Sequence, residues 1–253
     1  MSPDTLSKQE NNSVLLTGSL VEAARAALQP PGPMRWIIEA RADGVELRAV
    51  VRRWSTALDP SAQLARIACG TALRGARLAV SVQGRQPLVA YPERPGLLAV
   101  VHPGIMVPPR RAELLLHGLL RQEIAPAWCR ARLLDRPAAL QRLRSAAEAE
   151  GTWLRVLPGP VPAHLGRSWQ DTDDQAPAVG RRTIAALVGA PGRVPAADLR
   201  VGQAIETLRL TAMVLGLEMH VLAAPADSAA AGVPRGIGAE TGAIVRFDWP
   251  HPC

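Results

Sequence analysis

The side chains that most often carry catalysis are scattered along this sequence. Its 5 histidines never stand three or four residues apart, so no helical spacing brings two of them to one metal ion. The 3 cysteines form no Cys-x-x-Cys pair, and an odd number argues against a disulfide framework. The sequence also lacks a nucleophile-elbow serine motif, a phosphate-binding loop and a zinc-protease motif. We therefore predict no catalytic side chain and no metal site.

Cys69 is a cysteine with two chemical interpretations. It lies near the start of a predicted helix, where the helix dipole can lower the pKa of a thiol and make it reactive. A buried cysteine instead behaves as a small apolar side chain. The sequence favours the second alternative.

Arginine is the abundant group with clear chemistry, because its guanidinium binds phosphate through paired hydrogen bonds. Of the 29 basic residues all but Lys8 are arginine, and the formal charge is +7. The arginines stand singly or in pairs such as Arg52-Arg53. Nucleic-acid surfaces combine clustered charge with stacking aromatics, which form only 3% of this chain. We therefore predict no nucleic-acid partner, and we retain the arginine pairs as candidate ligands of a phosphate-bearing cofactor.

Length and composition place these residues in a folded chain. The sequence has 253 residues, of which 48% are hydrophobic and 20% charged, so disorder is excluded as the main state. No stretch reaches the roughly 20 apolar residues of a membrane-spanning helix. Residues 1–13 lack the basic and apolar regions of a secretory signal. We expect a cytoplasmic protein that does not associate with a membrane.

Hydrophobic periodicity and turn residues predict an α+β fold, with helices and strands in clusters rather than in strict alternation. Asp43-Gly44 predicts a hairpin between two strands, and Gly151 ends a helix. The predicted helices cover 19–28, 60–84, 110–120, 137–150 and 195–217. The predicted strands cover 35–40, 45–50, 87–91, 97–101, 152–157, 182–188, 219–223 and 242–249, and 158–178 is predicted to be a surface loop.

An internal repeat aligns residues 69–89 with residues 201–221 without a gap. Gly70 falls on Gly202, and Gly84, which stops the first helix, falls on Gly216. Two amphipathic helices can resemble each other through their period alone. The alternative is duplication, in which two related halves pack around a pseudo-two-fold axis and small residues let the paired helices approach closely. We favour duplication.

The repeated helices resemble the signature of the FMN-dependent nitroreductases. The family pattern has Gly-x-Ala early, Leu-x-Ala in the middle and a Gly-Leu stop before a strand. Residues 202–217 contain it in full, and the first helix shares Gly70, Ala72, Leu78 and Gly84. The match is closest to the Acg-like branch, in which two nitroreductase halves are fused in one chain. The segments that carry it are 58–73, 136–156, 184–217 and the closing strand 244–247.

The resemblance implies a mixed sheet flanked by helices, with one FMN between two pseudo-symmetric halves that share one core. It also implies that FMN transfers electrons between NAD(P)H and a small-molecule acceptor, since the flavin carries that chemistry. Residues 31–36 stand where the family has its flavin-binding segment, and residues 116–128 where it has its phosphate-binding segment. The candidate flavin ligands are Arg35, Trp36, Arg52, Arg53, Arg121 and Arg246.

The resulting organisation is a flexible lead at 1–17, a first nitroreductase-like half at 18–105 and a second at 106–253. Two functions stay open. The chain is either an FMN-dependent oxidoreductase of the nitroreductase type with weak or lost catalysis, or a non-catalytic member. A non-catalytic member would sequester a flavin or another ligand, or would be the structural subunit of an active partner. The expected assembly is either a homodimer or a complex with a partner subunit.

Overall fold

The computed structural model describes residues 18–27, 35–41, 43–50, 60–124, 135–157, 183–192, 194–223 and 241–249. The predicted lead at 1–17 and the predicted loop at 158–178 lie outside these residues. The described elements are α-helices and antiparallel β-strands, which confirms the predicted α+β class.

The described part of residues 18–120, called the first half from here on, contains three helices and one sheet. Its strands pair antiparallel in the order β1-β2-β4-β3, and the β1–β2 hairpin closes where Arg41 opposes Gly44, as Asp43-Gly44 predicted. In chain order the elements are α1 (18–26), β1 (Arg35–Arg41), β2 (Gly44–Val50), α2 (Pro60–Val82), β3 (Arg85–Ala90), β4 (Leu97–Met106) and α3 (Arg111–Leu120).

The second half repeats this plan. Its strands pair antiparallel in the order β5-β6-β8-β7, and a long helix again stands between the second and third strands. The elements are α4 (Arg136–Glu148), β5 (Trp153–Val156), β6 (Thr183–Gly189), α5 (Pro195–Val214), β7 (Glu218–Ala223) and β8 (Thr241–Asp248). Each half therefore presents the same sheet topology with one long helix at the same point of the chain.

The mixed sheet implied by the family resemblance is not what the described strands form. Every strand pair among them is antiparallel, and the strands divide into two four-stranded sheets. The connections explain this difference. A hairpin turn reverses the chain between β1 and β2, and α2 then leads to β3 at the other edge of the sheet. From there β4 returns between β2 and β3, antiparallel to both.

The expected single core is also divided into two main clusters of buried residues. One contains α1, α2, α3 and the first sheet, and the other contains α4, α5 and the second sheet. Leu210 of α5 belongs to the first cluster and Ile67 of α2 to the second. Helix α3, beyond the proposed boundary at 105/106, contributes Leu119 and Leu120 to the first cluster.

The two long helices pack directly against each other at a pair of glycines. A Cβ atom added to Gly70 would lie 2.8 Å from the Cα atom of Gly202 and would collide with the carbonyl oxygen of Leu199. A Cβ atom added to Gly202 would lie 2.7 Å from the Cα atom of Gly70 and would collide with the carbonyl oxygen of Ile67. The contact is reciprocal between positions that the sequence repeat aligns.

The repeat also has equivalent helix ends. Val82 and Val214, the last residues of α2 and α5, occupy aligned positions. The glycines that follow two residues later, Gly84 and Gly216, have φ angles of +73° and +71°. This left-handed conformation is easily adopted by glycine and stops a helix before a strand. Duplication therefore accounts for the matching helices better than a shared helical period does.

We predict that Gly70→Ala or Gly202→Ala destabilises the protein. An added methyl group forces the two helix backbones apart, and overpacking of this kind costs about 1–3 kcal/mol even though alanine favours a helix. Urea unfolding should show a lower midpoint for either variant. Gly18→Ala is the control, because a Cβ atom there meets nothing within 4 Å. A Gly70→Ala protein as stable as the parent would contradict the close contact.

Candidate functional site

Arg121, the candidate phosphate ligand, lies directly after α3 and is engaged with carboxylates. Its Nη1 atom is 2.9 Å from Oε2 of Glu22 on α1, and its Nε atom is 3.8 Å from Oε1 of Glu123. Two acidic partners cancel the charge that would attract a phosphate. In the described structure, Arg121 links α1 to the end of α3.

Arg246 lies on β8, and its side chain is 2% exposed. Its Nε atom donates to Oδ2 of Asp248 at 2.9 Å, and Nε2 of His220 lies 3.4 Å from the same oxygen. The flanking Val245 and Phe247 belong to the core beneath α5. Because side chains alternate along a strand, Arg246 points to the opposite face of the second sheet.

The remaining candidate flavin ligands lie at the start of the first sheet or outside the described residues. Arg35 and Trp36 begin β1, where they oppose Val50 and Ala49 of β2. Arg52 and Arg53 lie outside the described residues. Arg121 and Arg246 are thus placed in different halves, each beside its own carboxylate, and the described residues do not assemble a phosphate cradle from them.

A buried ion-pair cluster that the sequence did not indicate joins the two halves. Glu150, just after α4, accepts hydrogen bonds from Arg77 Nη1 at 2.7 Å and from Thr207 Oγ1 at 3.1 Å. Arg74 Nε lies 3.2 Å from Oε1 of Glu150 and donates to Thr207 Oγ1 at 2.8 Å. Burial lowers the pKa of the Arg74 guanidinium, and the Glu150 carboxylate opposes that shift. The cluster ties α2 to α4 and α5.

A second polar contact joins the other end of the two long helices. Arg66 Nε donates to Oδ2 of Asp198 at 2.7 Å, and Gln63 Nε2 donates to its Oδ1 at 3.0 Å. Burial raises the pKa of the Asp198 carboxyl, although both hydrogen bonds oppose this shift. Residue numbers rise together along α2 and α5 in these contacts, from Arg66 with Asp198 to Arg74 with Thr207. The two helices therefore run in the same direction.

Cys69 is buried in the interior of α2, where it is 0% exposed. Burial raises the pKa of its thiol to about 12. A thiol with this pKa is almost entirely protonated near neutral pH, and a protonated thiol is a poor nucleophile. Of the two interpretations, the small apolar core residue is therefore the one that the structure supports.

A cavity of about 610 Å³ opens where the two halves meet. Its walls are the β3–β4 loop at 91–98, the first turns of α5 at 194–199, and Ala62 and Arg66 of α2. Most of the lining is apolar, and its charged members are Arg66, Glu93 and Arg94. Neither Arg121 nor Arg246 lines it. The cavity has a size suited to a small ligand, but its residues differ from the candidate flavin ligands.

The end of the first sheet presents large apolar side chains to solvent. Ile105 and Met106 are 71% and 69% exposed, and Val107, Leu114 and Leu115 are exposed as well. These five side chains lie within residues 105–115, which comprise the end of β4, a short connector and the first turns of α3. We refer to residues 105–115 as the apolar segment. The sequence analysis predicted a helix at 110–120 here and ended the preceding strand at residue 101, whereas β4 continues to Met106.

No protein family and no curated protein sequence matches the chain. Within the described residues, no three or more histidine, cysteine or acidic side chains are grouped as metal ligands. No helix among those residues has the length and apolarity needed to cross a bilayer.

We predict that Glu150→Gln lowers the free energy of unfolding by about 3 kcal/mol, because removing one partner of a buried ion pair leaves the other charge uncompensated. Chemical denaturation measures the change. Glu148→Gln is the matched control on an exposed position of α4, where a surface substitution is expected to change stability by less than about 0.5 kcal/mol. Equal stabilities of the two variants would show that the Glu150 cluster does not hold the halves together.

Proposed function

We propose that this chain is a non-catalytic binding protein. Its two halves form a rigid scaffold, and the apolar segment of the first half binds a partner polypeptide. This is the structural-subunit alternative inferred from the sequence. The single observation that carries the proposal is the exposure of five large apolar side chains within residues 105–115.

Exposed apolar surface of this kind is uncommon in proteins that act alone. Scattered apolar side chains are normal at a surface, whereas a group of large ones usually marks an interaction site. Here Ile105 and Met106 are consecutive residues of β4, both more than two-thirds exposed, and the alternation of side chains along a strand directs them to opposite faces. The apolar segment also lies on ordered elements, since Val107 N donates to Gly84 O at 2.9 Å and Leu114 N donates to Arg110 O at 3.1 Å. A partner would therefore meet a preformed surface.

The described polar groups support a scaffold more than a reaction centre. The buried carboxylates of Glu150, Asp198 and Glu206 each face an arginine, and Cys69 is a protonated core residue. A general base or a nucleophile needs access to substrate and a pKa suited to its task. The carboxylates of Glu150 and Asp198 instead hold α2, α4 and α5 together, and the Glu206–Arg209 pair lies within α5.

A photocrosslinking experiment tests the proposed function. Benzoylphenylalanine is placed at Met106 in the full-length chain, and at Glu148 of α4 as an exposed control. We expect ultraviolet irradiation in the cells that express the protein naturally to give one discrete adduct with a different polypeptide from position 106 and none from position 148. Identical adduct patterns from both positions, or no adduct from position 106, would refute the proposal.

A flavin or another ligand in the cavity between the halves is the second candidate function. The observation that favours it is the cavity of about 610 Å³ lined by both halves. The purified protein then has the visible absorbance of a flavin, or its melting temperature rises with saturating FMN. If neither is observed, a flavin in this cavity is excluded, and the oxidoreductase of the nitroreductase type is excluded with it.

A further inference from the structure

The apolar segment is bordered by positive charge, and this limits what can bind there. Arg110 and Arg111 are exposed and lie within the segment, between its two groups of apolar side chains. Arg85 opposes Met106 across the sheet, and its Nη1 atom donates to the carbonyl oxygen of Gly104 at 3.1 Å. A guanidinium bonded to a neutral carbonyl keeps its charge available.

These three arginines differ from the ion-paired arginines of the first sheet. Arg85, Arg110 and Arg111 form no ion pair with any described residue, whereas Arg41 and Arg48 on the same sheet are both paired with Glu46. The acidic side chain inside the apolar segment is Glu113, which accepts a hydrogen bond from the backbone N–H of Arg110 at 2.8 Å. Among the described residues, this segment therefore combines exposed apolar side chains with arginines that have no ion-pair partner.

This combination argues against two of the three possible occupants. A second copy of the chain that used the same surface would bring its own arginines against these, and like charges in an interface are unfavourable. A membrane surface is usually held by clusters of four to eight basic residues, whereas this segment and Arg85 offer three. An acidic polypeptide satisfies both features, since its carboxylates pair with the guanidiniums while its apolar side chains cover Met106, which lies opposite Arg85.

We infer that the partner is an acidic polypeptide segment with apolar side chains, bound across residues 105–115 with its carboxylates facing Arg85, Arg110 and Arg111. This inference rests on the proposed function and specifies the chemistry of the partner. The charges choose among partners and accelerate encounter, and the apolar contacts supply most of the affinity.

Two labelled synthetic peptides test this inference on the full-length protein. They share the same pattern of leucines, and every other position is glutamate in one peptide and lysine in the other. Fluorescence anisotropy should show that the glutamate peptide binds about tenfold or more tightly than the lysine peptide, a difference that a few partly exposed charge pairs can supply.

Charge-reversal variants locate the effect. Arg110→Glu combined with Arg111→Glu should weaken binding of the glutamate peptide about tenfold. Arg142→Glu combined with Arg144→Glu on α4 makes the same change of net charge at exposed positions elsewhere and should leave the affinity within about twofold. An equal loss in both double variants would mean that only the net charge of the chain matters, and would overturn the inference. No binding of the glutamate peptide would overturn it as well.

Ile105→Asp combined with Met106→Asp separates this inference from the proposed function. Both side chains are exposed, so we expect the variant to fold with an unchanged melting temperature. We also expect it to show no binding of the glutamate peptide. If both peptides bind the parent with equal affinity and neither binds this variant, the proposed function stands and the inference of an acidic partner is wrong. If the parent binds neither peptide and position 106 gives no photocrosslink, both fail.

Two sedimentation experiments test directly whether a second copy of the chain or a membrane occupies this surface. Sedimentation velocity reports whether the parent forms a dimer that Ile105→Asp with Met106→Asp dissociates, and sedimentation with phosphatidylserine vesicles reports whether the same variant loses membrane binding. We expect neither. A dimer broken by the variant would identify a second copy as the occupant, and vesicle binding lost in the variant would identify a membrane. Either result would overturn the inference.

Discussion

At the centre of this protein the backbones of α2 and α5 touch at Gly70 and Gly202, with no side chain between them. This contact sets the distance between the two halves, since each long helix covers its own sheet and contacts the other helix. It also places the polar side chains on either side of the glycines within reach of one another. Arg66 meets Asp198 at one end, and Arg74 and Arg77 meet Glu150 at the other. A wider separation of the helices would leave these buried charges without partners, which is a costly state.

The same arrangement limits where function can reside. The interior charges stabilise the scaffold, and the thiol of Cys69 is protonated because it is buried. What remains for binding are the surfaces that the scaffold displays, and in the first half one of them combines exposed apolar side chains with arginines that form no ion pair among the described residues. The two halves share a topology but differ on the outer faces of their sheets. Glu46 and Arg48 form an ion pair on the outer face of the first sheet, whereas Ala185 and Leu187 are buried in the second. The two halves therefore need not share a function.

Local sequence signals predicted the elements well. The glycines at 84 and 216 end their helices as expected, and the alignment of Gly70 with Gly202 corresponds to a physical contact. Sheet organisation was less accessible, because strand patterns record which face is buried and not which strand lies alongside or in which direction. The ion pair between Arg77 and Glu150 joins residues 73 apart in sequence, and nothing local marks it. The flavin ligands came from a family resemblance, and the described fold places Arg121 and Arg246 beside carboxylates in different halves. The apolar segment was missed because exposure cannot be deduced from apolar spacing alone.

The central claim is that the α2–α5 contact makes the two halves one cooperative unit. Native-state hydrogen exchange tests it most directly, because it measures the opening free energy of each amide. If the claim holds, the slowest amides of α2 and α5 exchange with the same free energy and the same dependence on denaturant, since both are exposed only when the whole protein unfolds. If the slowest amides of one helix instead exchange through an opening of lower free energy and weaker denaturant dependence while the other helix stays protected, the halves are independent and the claim is contradicted.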